Sequence, residues 1–443
     1  MEIYKLKKPN YIGINNIIPK LSSIDNIGSY IAAINRPNYL FWDRAQYKDH
    51  PNNITPEELW SLVKFFRIDS PERTKTPIRD EKGVYFSWQL LPGMDFFLHE
   101  IDMQLGGFLA TTIPNGEAPK RRFISRGIME EAIASSQLEG ANTTRKIAKK
   151  MLLEKRAPRS RSEKMIFNNY QAMLKIEGVL KDKNLSRVIL LDLHATLVQD
   201  TIDKADVGRF RNDTDRIVVS DPKTDIIYHI PPGEKFLKTE IDRLIDFAND
   251  DSPQRHFVHP IIKAIMLHFW LGYLHPFTDG NGRLARAIFY WYALRKNYWA
   301  FSYLPISRVI KGSPAQYRDA YVYTEQDDND LTYFIDFNVR KMIQAKNEFE
   351  SYIIRKEKEN RFITETARSQ YNLNDRQIQL LRLFYKNANA TTTIKTHSKI
   401  YSISRVTARK DLEHMEELGL LLSKKVGRDR LFSATSIIVS LFK

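Results

Sequence analysis

Two strongly apolar segments joined by a short polar loop constrain this chain more than any other feature. His256 to Leu274 carries Phe257, Ile261, Ile265 and Phe269 at helical spacing, and Leu284 to Tyr298 is apolar almost all round. A stripe of apolar residues buries one face of a helix; a helix apolar on every face belongs at the centre of a fold. The stretch that joins them reads His275-Pro-Phe-Thr-Asp-Gly-Asn-Gly-Arg-Leu-Ala-Arg286. A histidine, a carboxylate, a Gly-Asn-Gly turn and two arginines thus converge on a rigid, buried support, which points to chemistry.

At 443 residues the chain is too long for one core, and two to three domains follow from about 150 residues per domain. A hydrophobic content of 42% with 27% charged residues is that of a soluble globular protein. The absence of cysteine excludes disulfides and thiolate metal sites. Met1-Glu-Ile-Tyr-Lys lacks the pattern of a signal peptide, and no run approaches the roughly 18 apolar residues of a membrane span. A cytoplasmic location is expected. The net charge is +15, and residues 351–443 hold 18 Lys/Arg against 9 Asp/Glu, a basic region suited to a polyanion or to a solvated surface.

Residues 1–118 are rich in aromatics and prolines and are expected to form a helical domain that buttresses or regulates. Thr55-Pro-Glu-Glu-Leu-Trp60 is a helix start, with Thr55 as N-cap and proline at the first helical position. In Arg126 to Gly140, the residues Ile128, Ala132 and Ser135 recur at helical spacing and Gly140 is a natural stop. Glu139 at that C-terminus is odd, because the helix dipole disfavours an acid there by about 0.3–1 kcal/mol. A cation from elsewhere would relieve it.

Ile217 to Val219 and Ile226 to Ile230 are short β-branched runs flanking a turn at Asp221-Pro222, a hairpin that must lie against something. His256, His259 and His268 read as hydrogen-bonded core residues, without the paired spacing of a zinc site. Tyr317 to Met342 continues helical, with Asp330 at a capped start, and Glu348 to Arg361 is a charge-dense helix of mixed sign, suited to a solvated connector. Beyond it, Asp375 to Tyr385, Thr391 to Ile400 and Ser404 to Gly419 read as three helices, and Leu420 to Phe432 as a basic-tipped hairpin. This order resembles a winged helix-turn-helix. Arg405, Arg409 and Lys410 on its third helix, with Arg428 and Arg430 on the hairpin, are the candidate DNA contacts. Phosphate-binding charge is present; base readout is not legible.

The loop itself has the form of an anion cradle. Gly280-Asn281-Gly282 opens a helix, whose first amides lack acceptors and whose dipole favours negative charge. The glycines permit close backbone approach, and Asn281 tolerates a left-handed conformation. Arg283 and Arg286 lie on adjacent positions of the first turn and can clamp phosphate oxygens. Asp279 offers one hard ligand for Mg²⁺, and neutral His275 can take a proton from an attacking hydroxyl. These are the parts for phosphoryl or nucleotidyl transfer.

The residues His275, Phe277, Gly280, Asn281, Gly282, Arg283 and Arg286 complete the pattern His-x-Phe-x-x-Gly-Asn-Gly-Arg-x-x-Arg, and so resemble the Fic family. The resemblance extends over about residues 120–342, including Gly208-Arg-Phe-Arg211, the hairpin and Ile230-Pro-Pro232. It implies a mainly α fold: a helical Fic core with a β-hairpin flap (about 208–232), a helical N-terminal domain and a C-terminal winged helix-turn-helix. The core would span 119–345, a connector 346–369 and the winged helix 370–443. It also implies protein adenylylation, in which AMP passes from ATP, with Mg²⁺, to a Tyr, Thr or Ser hydroxyl of a target protein or of the chain itself. His275 would be the base, Phe277 the loop anchor and Asp279 the metal ligand. Thr278 to Gly282 with Arg283 and Arg286 would hold the phosphates, Ile217 and Val219 would line the adenine side, and the hairpin would register the target by strand addition.

Ser135-x-x-x-Glu139-Gly140 resembles the family's inhibitory motif, which places Glu139 on Arg286 and in the position of the γ-phosphate. A homodimer is the expected assembly. Alternative readings keep the fold and remove AMP or transfer another group, or make the winged helix primary and the Fic part a nucleotide sensor.

Overall fold

A computed structural model describes residues 2–103, 117–221, 223–250, 252, 257–387, 389–427 and 429–440. Helices dominate, with three small sheets set among them. The chain divides into two compact units, Met1–Lys346 and Asn347–Lys443, and the boundary falls inside the long helix Thr332–Ser369. Among the described residues no helix is long and apolar enough to cross a membrane.

Helices Pro260–Leu274 and Asn281–Arg295 pack against each other at the centre of the first unit. Pro260 sets the start of the first, since the residue before a proline is steered away from helical geometry. His259 takes the N-cap, its Nδ1 accepting from the Ile261 amide at 3.2 Å. The sequence expectation of a start at His256 is therefore too early. Phe257 stands outside the helix and is 83% exposed rather than in the core, while His256 lies outside the described residues. Ile261, Ile265 and Phe269 are fully buried, as their spacing predicts. The second helix starts three residues before Leu284, because Gly280 enters it at φ 85°, a conformation glycine adopts without penalty. It buries Leu284, Ala285, Ile288 and Trp291 completely, each large side chain contributing roughly 1.5–3 kcal/mol.

Helix Glu117–Leu138 packs chiefly on helices Arg161–Gly178 and Ile306–Lys311 and also touches Asn281–Arg295. Gly127 lets it come close to the turn Trp299–Ser302, since a Cβ there would stand 2.3 Å from the Ser302 carbonyl oxygen. One turn on, buried Glu131 accepts from the Tyr290 hydroxyl at 2.7 Å and the Ser307 amide at 3.0 Å. The same helix therefore delivers Ser135 and, just past its end, Glu139 to a fixed place.

The hairpin is present as strands Val219–Ser220 and Ile226–His229, antiparallel and shorter than the β-branched runs suggest; Ile217 is outside it. Its support is a third strand that the sequence did not advertise. Glu2–Ile3 pairs in parallel with the other edge of Ile226–His229. Near the start of the unit, helix Pro56–Ile68 has the expected Thr55 cap, completed as a capping box by Glu58. The helical stretch expected from Tyr317 to Met342, with its capped start at Asp330, is two helices, Pro314–Gln326 and Thr332–Ser369, the second with the Thr332 amide donating to Asp330 at 3.1 Å. Asp328 and Asn329 are left-handed there, and buried Lys64 holds Asp327 at 3.0 Å and Asp328 at 2.9 Å. Glu348 to Arg361, expected as a charge-dense helix, is helical and continuous with that second helix.

In the second unit, helices Asp375–Lys386, Ile394–Tyr401 and Arg405–Glu417 precede the hairpin Leu421–Val426/Asp429–Ala434. The middle segment begins as a strand, not a helix: β-branched Thr391–Thr393 pairs with Asp429–Ala434, and Thr393 then caps the helix. Leu381, Phe384, Leu412, Met415 and Phe432 form the core. Buried Asp411 ties the helices together, accepting from Arg376 at 2.8 Å and Asn374 at 2.9 Å.

Candidate active site

His275 caps the C-terminus of helix Pro260–Leu274 in the left-handed region, φ 45° and ψ 58°. A non-glycine residue there costs roughly 1–2 kcal/mol, so its surroundings must hold it. Arg211 does so. Its Nε donates to the His275 carbonyl at 2.7 Å, and its Nη2 donates to the carbonyls of Leu274 at 3.1 Å and Pro232 at 2.6 Å. One buried cation thus caps a helix end, favourable for the dipole, and ties it to the foot of the flap.

The loop after His275 is fastened from below. Phe277 is fully buried and stacks on His194, ring centroids 3.7 Å apart and planes 8° from parallel. His194 accepts the Gly208 amide on Nδ1 at 3.1 Å, so its Nε2 carries the proton donated to the Asp279 carbonyl, also at 3.1 Å. Burial pushes His194 down to about 4, which keeps that neutral tautomer in place. Asn281 is not left-handed as its type would allow. It starts the helix, and its side-chain amide clamps Phe277, accepting from the amide at 2.9 Å and donating to the carbonyl at 2.7 Å.

The His275 ring lines a pocket of about 220 Å³ with Glu139, Val219, Arg286, Tyr321 and Glu325. Its Nδ1 is 3.4 Å from the Gly272 carbonyl oxygen, a long contact that favours the proton on Nδ1 and leaves the Nε2 lone pair able to accept a proton. Burial pushes His275 down to about 3, with the His229 and Arg211 charges adding to the effect. His229 behaves in the opposite way. Burial opposes its charge, but Glu325, 2.6 Å from Nδ1, overrides this, and the Tyr273 carbonyl 2.7 Å from Nε2 adds to it, so its pKa is raised. A protonated His229 thus pins flap strand Ile226–His229 to helices Pro260–Leu274 and Pro314–Gln326.

Arg286 supplies the cation that the helix end at Glu139 lacks. Its Nη2 donates to Glu139 at 2.9 Å and to the Ser135 carbonyl at 2.9 Å, and its Nε donates to the Ser135 hydroxyl at 2.9 Å. Glu139 also lies directly over the glycine turn: a Cβ on Gly282 would stand 2.2 Å from its carboxylate oxygen. The carboxylate therefore occupies the mouth of the anion cradle. Arg283 does not share the clamp that sequence adjacency suggests. It is 0% exposed and donates inward to the Leu197 carbonyl at 2.9 Å and to Asp279 at 3.3 Å.

Asp279 is paired on its second oxygen with Arg161 at 3.2 Å. Among the described residues no group of three or more His, Asp or Glu side chains could hold a metal. A cation at Asp279 would draw the rest of its shell from water and phosphate oxygens, which is how Mg²⁺ usually binds. Thr278 is half-buried on the same loop. Val219 lines the pocket, whereas Ile217 is not among its lining residues.

His194, Arg211, His229 and Glu325 carry roles that sequence reasoning did not assign. A histidine in an apolar helix and an arginine after Gly-Arg-Phe were visible, but nothing local says which backbone carbonyls they reach. In the second unit Arg405, Arg409 and Lys410 are exposed. Arg430 turns back onto Glu416 at 2.6 Å and Glu413 at 3.3 Å, and Arg428 lies outside the described residues.

Residues 184–293 match the Fic/DOC family. The chain is 27% identical over 182 residues to a protein adenylyltransferase Fic of Nematostella vectensis, covering 40% of each chain. It is 31% identical over 129 residues to that of Culex quinquefasciatus, covering 29% of this chain and 23% of the relative. The chain thus spans well under half of these curated relatives. A Fic family protein from Desulfovibrio desulfuricans G20 shares the fold, with a TM-score of 0.51 at 18% identity over 78% of this chain and 97% of that one. Together these support a Fic protein. The matched segment contains His194, Arg211, His229 and the whole of the loop from His275 to Arg286, but begins after Glu139.

Proposed function

We propose that this chain is a self-inhibited protein adenylyltransferase. The observation that carries the reading is the Glu139 carboxylate lying on Arg286 and against Gly282, beside a neutral His275. A site complete for phosphate binding and already filled by an internal anion is one whose activity is controlled by removing that anion.

In the proposed reaction ATP lies with its phosphates on the first-turn amides of helix Asn281–Arg295. The acceptor hydroxyl loses its proton to His275 Nε2 as its oxygen bonds to the α-phosphorus. The bond from that phosphorus to the bridging oxygen breaks, and pyrophosphate leaves. Arg286, once free of Glu139, holds the distal phosphate, and Arg283 keeps Asp279 and the loop in place. Asp279 would hold Mg²⁺, which when bound neutralises charge on the phosphates and the departing pyrophosphate. The pocket wall of Val219, Tyr321 and Glu325 would take the nucleoside. The flap would present the acceptor segment.

Mass spectrometry of the Glu139→Gly protein incubated with Mg-ATP tests the reading. The expected product is the chain plus AMP on a hydroxyl residue, absent from the Glu139→Gly/His275→Ala protein. Equal modification of the two would reject His275 as the base; release of AMP from a pre-modified target by the wild type, lost on Glu139→Gly, would instead mark a hydrolase.

A second activity is proposed for the second unit. Exposed Arg405, Arg409 and Lys410 on one capped helix support contact with DNA phosphates. The diversion of Arg430 onto glutamates argues for the helix over the hairpin as the main contact.

A further inference from the structure

The edge of the flap is occupied by the chain's own residues. Strand Ile226–His229 has Val219–Ser220 on one side and Glu2–Ile3 on the other, with Glu2 opposite Ile226 and Ile3 opposite Ile227. The Tyr4 amide extends the pairing, donating to the Ile227 carbonyl at 2.8 Å. Beyond that, a side chain of the neighbouring helix also holds the segment. Gln326, at the end of helix Pro314–Gln326, donates to the Tyr4 carbonyl at 2.9 Å and accepts from the Leu6 amide at 2.9 Å. The Tyr4 ring lies on Tyr228, centroids 5.2 Å apart, and Tyr228 lines the catalytic pocket.

This attachment is specific in register but shallow. Ile3 is 49% exposed and Tyr4 37%, so little apolar surface is buried to retain them. Main-chain bonds give a strand its affinity, and any extended polypeptide offers the same bonds. An uncovered edge strand also invites uncontrolled pairing, which a resident strand prevents.

We propose that residues 2–6 are an exchangeable resident strand on the flap, and that an extended segment of an acceptor polypeptide takes their place, parallel to Ile226–His229. The occupant is a polypeptide strand with an aromatic side chain where Tyr4 meets Tyr228. The inference rests on the transferase reading for its purpose, but not for its test. A second brake then acts beside Glu139: the carboxylate excludes productive ATP, and the strand excludes the acceptor.

The test is binding of a fluorescent peptide with the sequence of residues 2–8, Glu-Ile-Tyr-Lys-Leu-Lys-Lys, followed by anisotropy without nucleotide. Tyr4→Pro in the full chain removes the amide that bonds Ile227, and Gln326→Ala releases the other attachment; Tyr4→Ala keeps the amide. Loss of one backbone bond corresponds to roughly tenfold in an exchange equilibrium. The peptide is expected to bind Tyr4→Pro at least that much more tightly than the wild type, with Tyr4→Ala in between, whereas Gln326→Ala, which weakens peptide and resident strand alike, is expected to match the wild type. Equal binding to wild type, Tyr4→Pro and Tyr4→Ala, or binding to none, would overturn the exchange. Because no turnover is measured, that failure leaves adenylyl transfer standing, and a protein inactive in transfer still reports on the strand.

Discussion

Removing the Glu139 carboxylate should open the site, and the structure bounds by how much. Two unit charges about 4 Å apart attract by about 4 kcal/mol at an effective dielectric near 20. Arg286 is 3% exposed but Glu139 is 29% exposed, so water screens one end of the pair. Discounting for that screening leaves about 2 kcal/mol, or about thirtyfold in an equilibrium. Self-labelling of Glu139→Gly with α-labelled ATP, at nucleotide below saturation, is therefore expected to exceed wild type by about thirtyfold. Arg286 keeps both contacts to Ser135, so the guanidinium stays in position to receive a phosphate. Without nucleotide the variant should be less stable by about 2 kcal/mol, because a buried cation has lost its partner. Mg-ATP should restore part of that loss in a thermal melt. Glu139→Gln separates charge from bulk, since its amide still lies over Gly282. It is expected to fall between wild type and Glu139→Gly. If Glu139→Gly neither labels faster nor binds ATP more tightly, the carboxylate does not guard the phosphate site.

Four further outcomes follow from the structure. His194, His268 and His275 have folded-state values of about 4, 3 and 3, set chiefly by burial. Their unfolded forms take up protons first, so their contribution is complete above about pH 6.5 and is lost as pH falls towards 4, at about 1.4 kcal/mol per pH unit for each histidine. His194→Phe should flatten the acid side of a stability curve, and an unchanged slope would contradict a neutral buried His194. His229 has the opposite sign: its raised pKa makes its contribution complete below about pH 6.5 and lost as pH rises through the folded value. The protection factor of residues 226–229 against hydrogen exchange, relative to intrinsic exchange at each pH, should therefore fall at alkaline pH, but not in a His229→Gln protein. Arg211→Lys cannot reach the carbonyls of Pro232, Leu274 and His275 together, and kcat is expected to drop at least tenfold with KM for ATP little changed. A rise in KM alone would place Arg211 on the nucleotide instead. For the second unit, replacing Arg405 and Arg409 by alanine should reduce the slope of log affinity for duplex DNA against log salt by about 2. No shift of any duplex by the wild type at low salt would dismiss DNA as its partner.

Much of the site was legible because its chemistry is local in sequence. The spacing from His275 to Arg286 fixes a loop entering a helix N-terminus, and that entry dictates free amides and an anion, wherever the helix lies. Glu139 was conspicuous for a related reason, as an acid at a helix end that needs a cation. The helices themselves followed from apolar periodicity, and missed boundaries trace to single residues: Pro260 delayed one start, and left-handed Asp328 and Asn329 split another run. What the sequence could not carry is which atoms meet. Arg283 and Arg286 look equivalent on paper, yet one is folded inward onto Leu197 and the other reaches Glu139, because only the second faces helix Glu117–Leu138. Arg211, His194 and His229 act through backbone carbonyls and amides, groups that every residue possesses and no motif records. The pairing of Glu2–Ile3 with a strand more than two hundred residues away is the extreme case. The loop from His275 to Arg286 was decided by the order of its residues; what holds it, fills it and covers its flap was decided only when distant segments packed together.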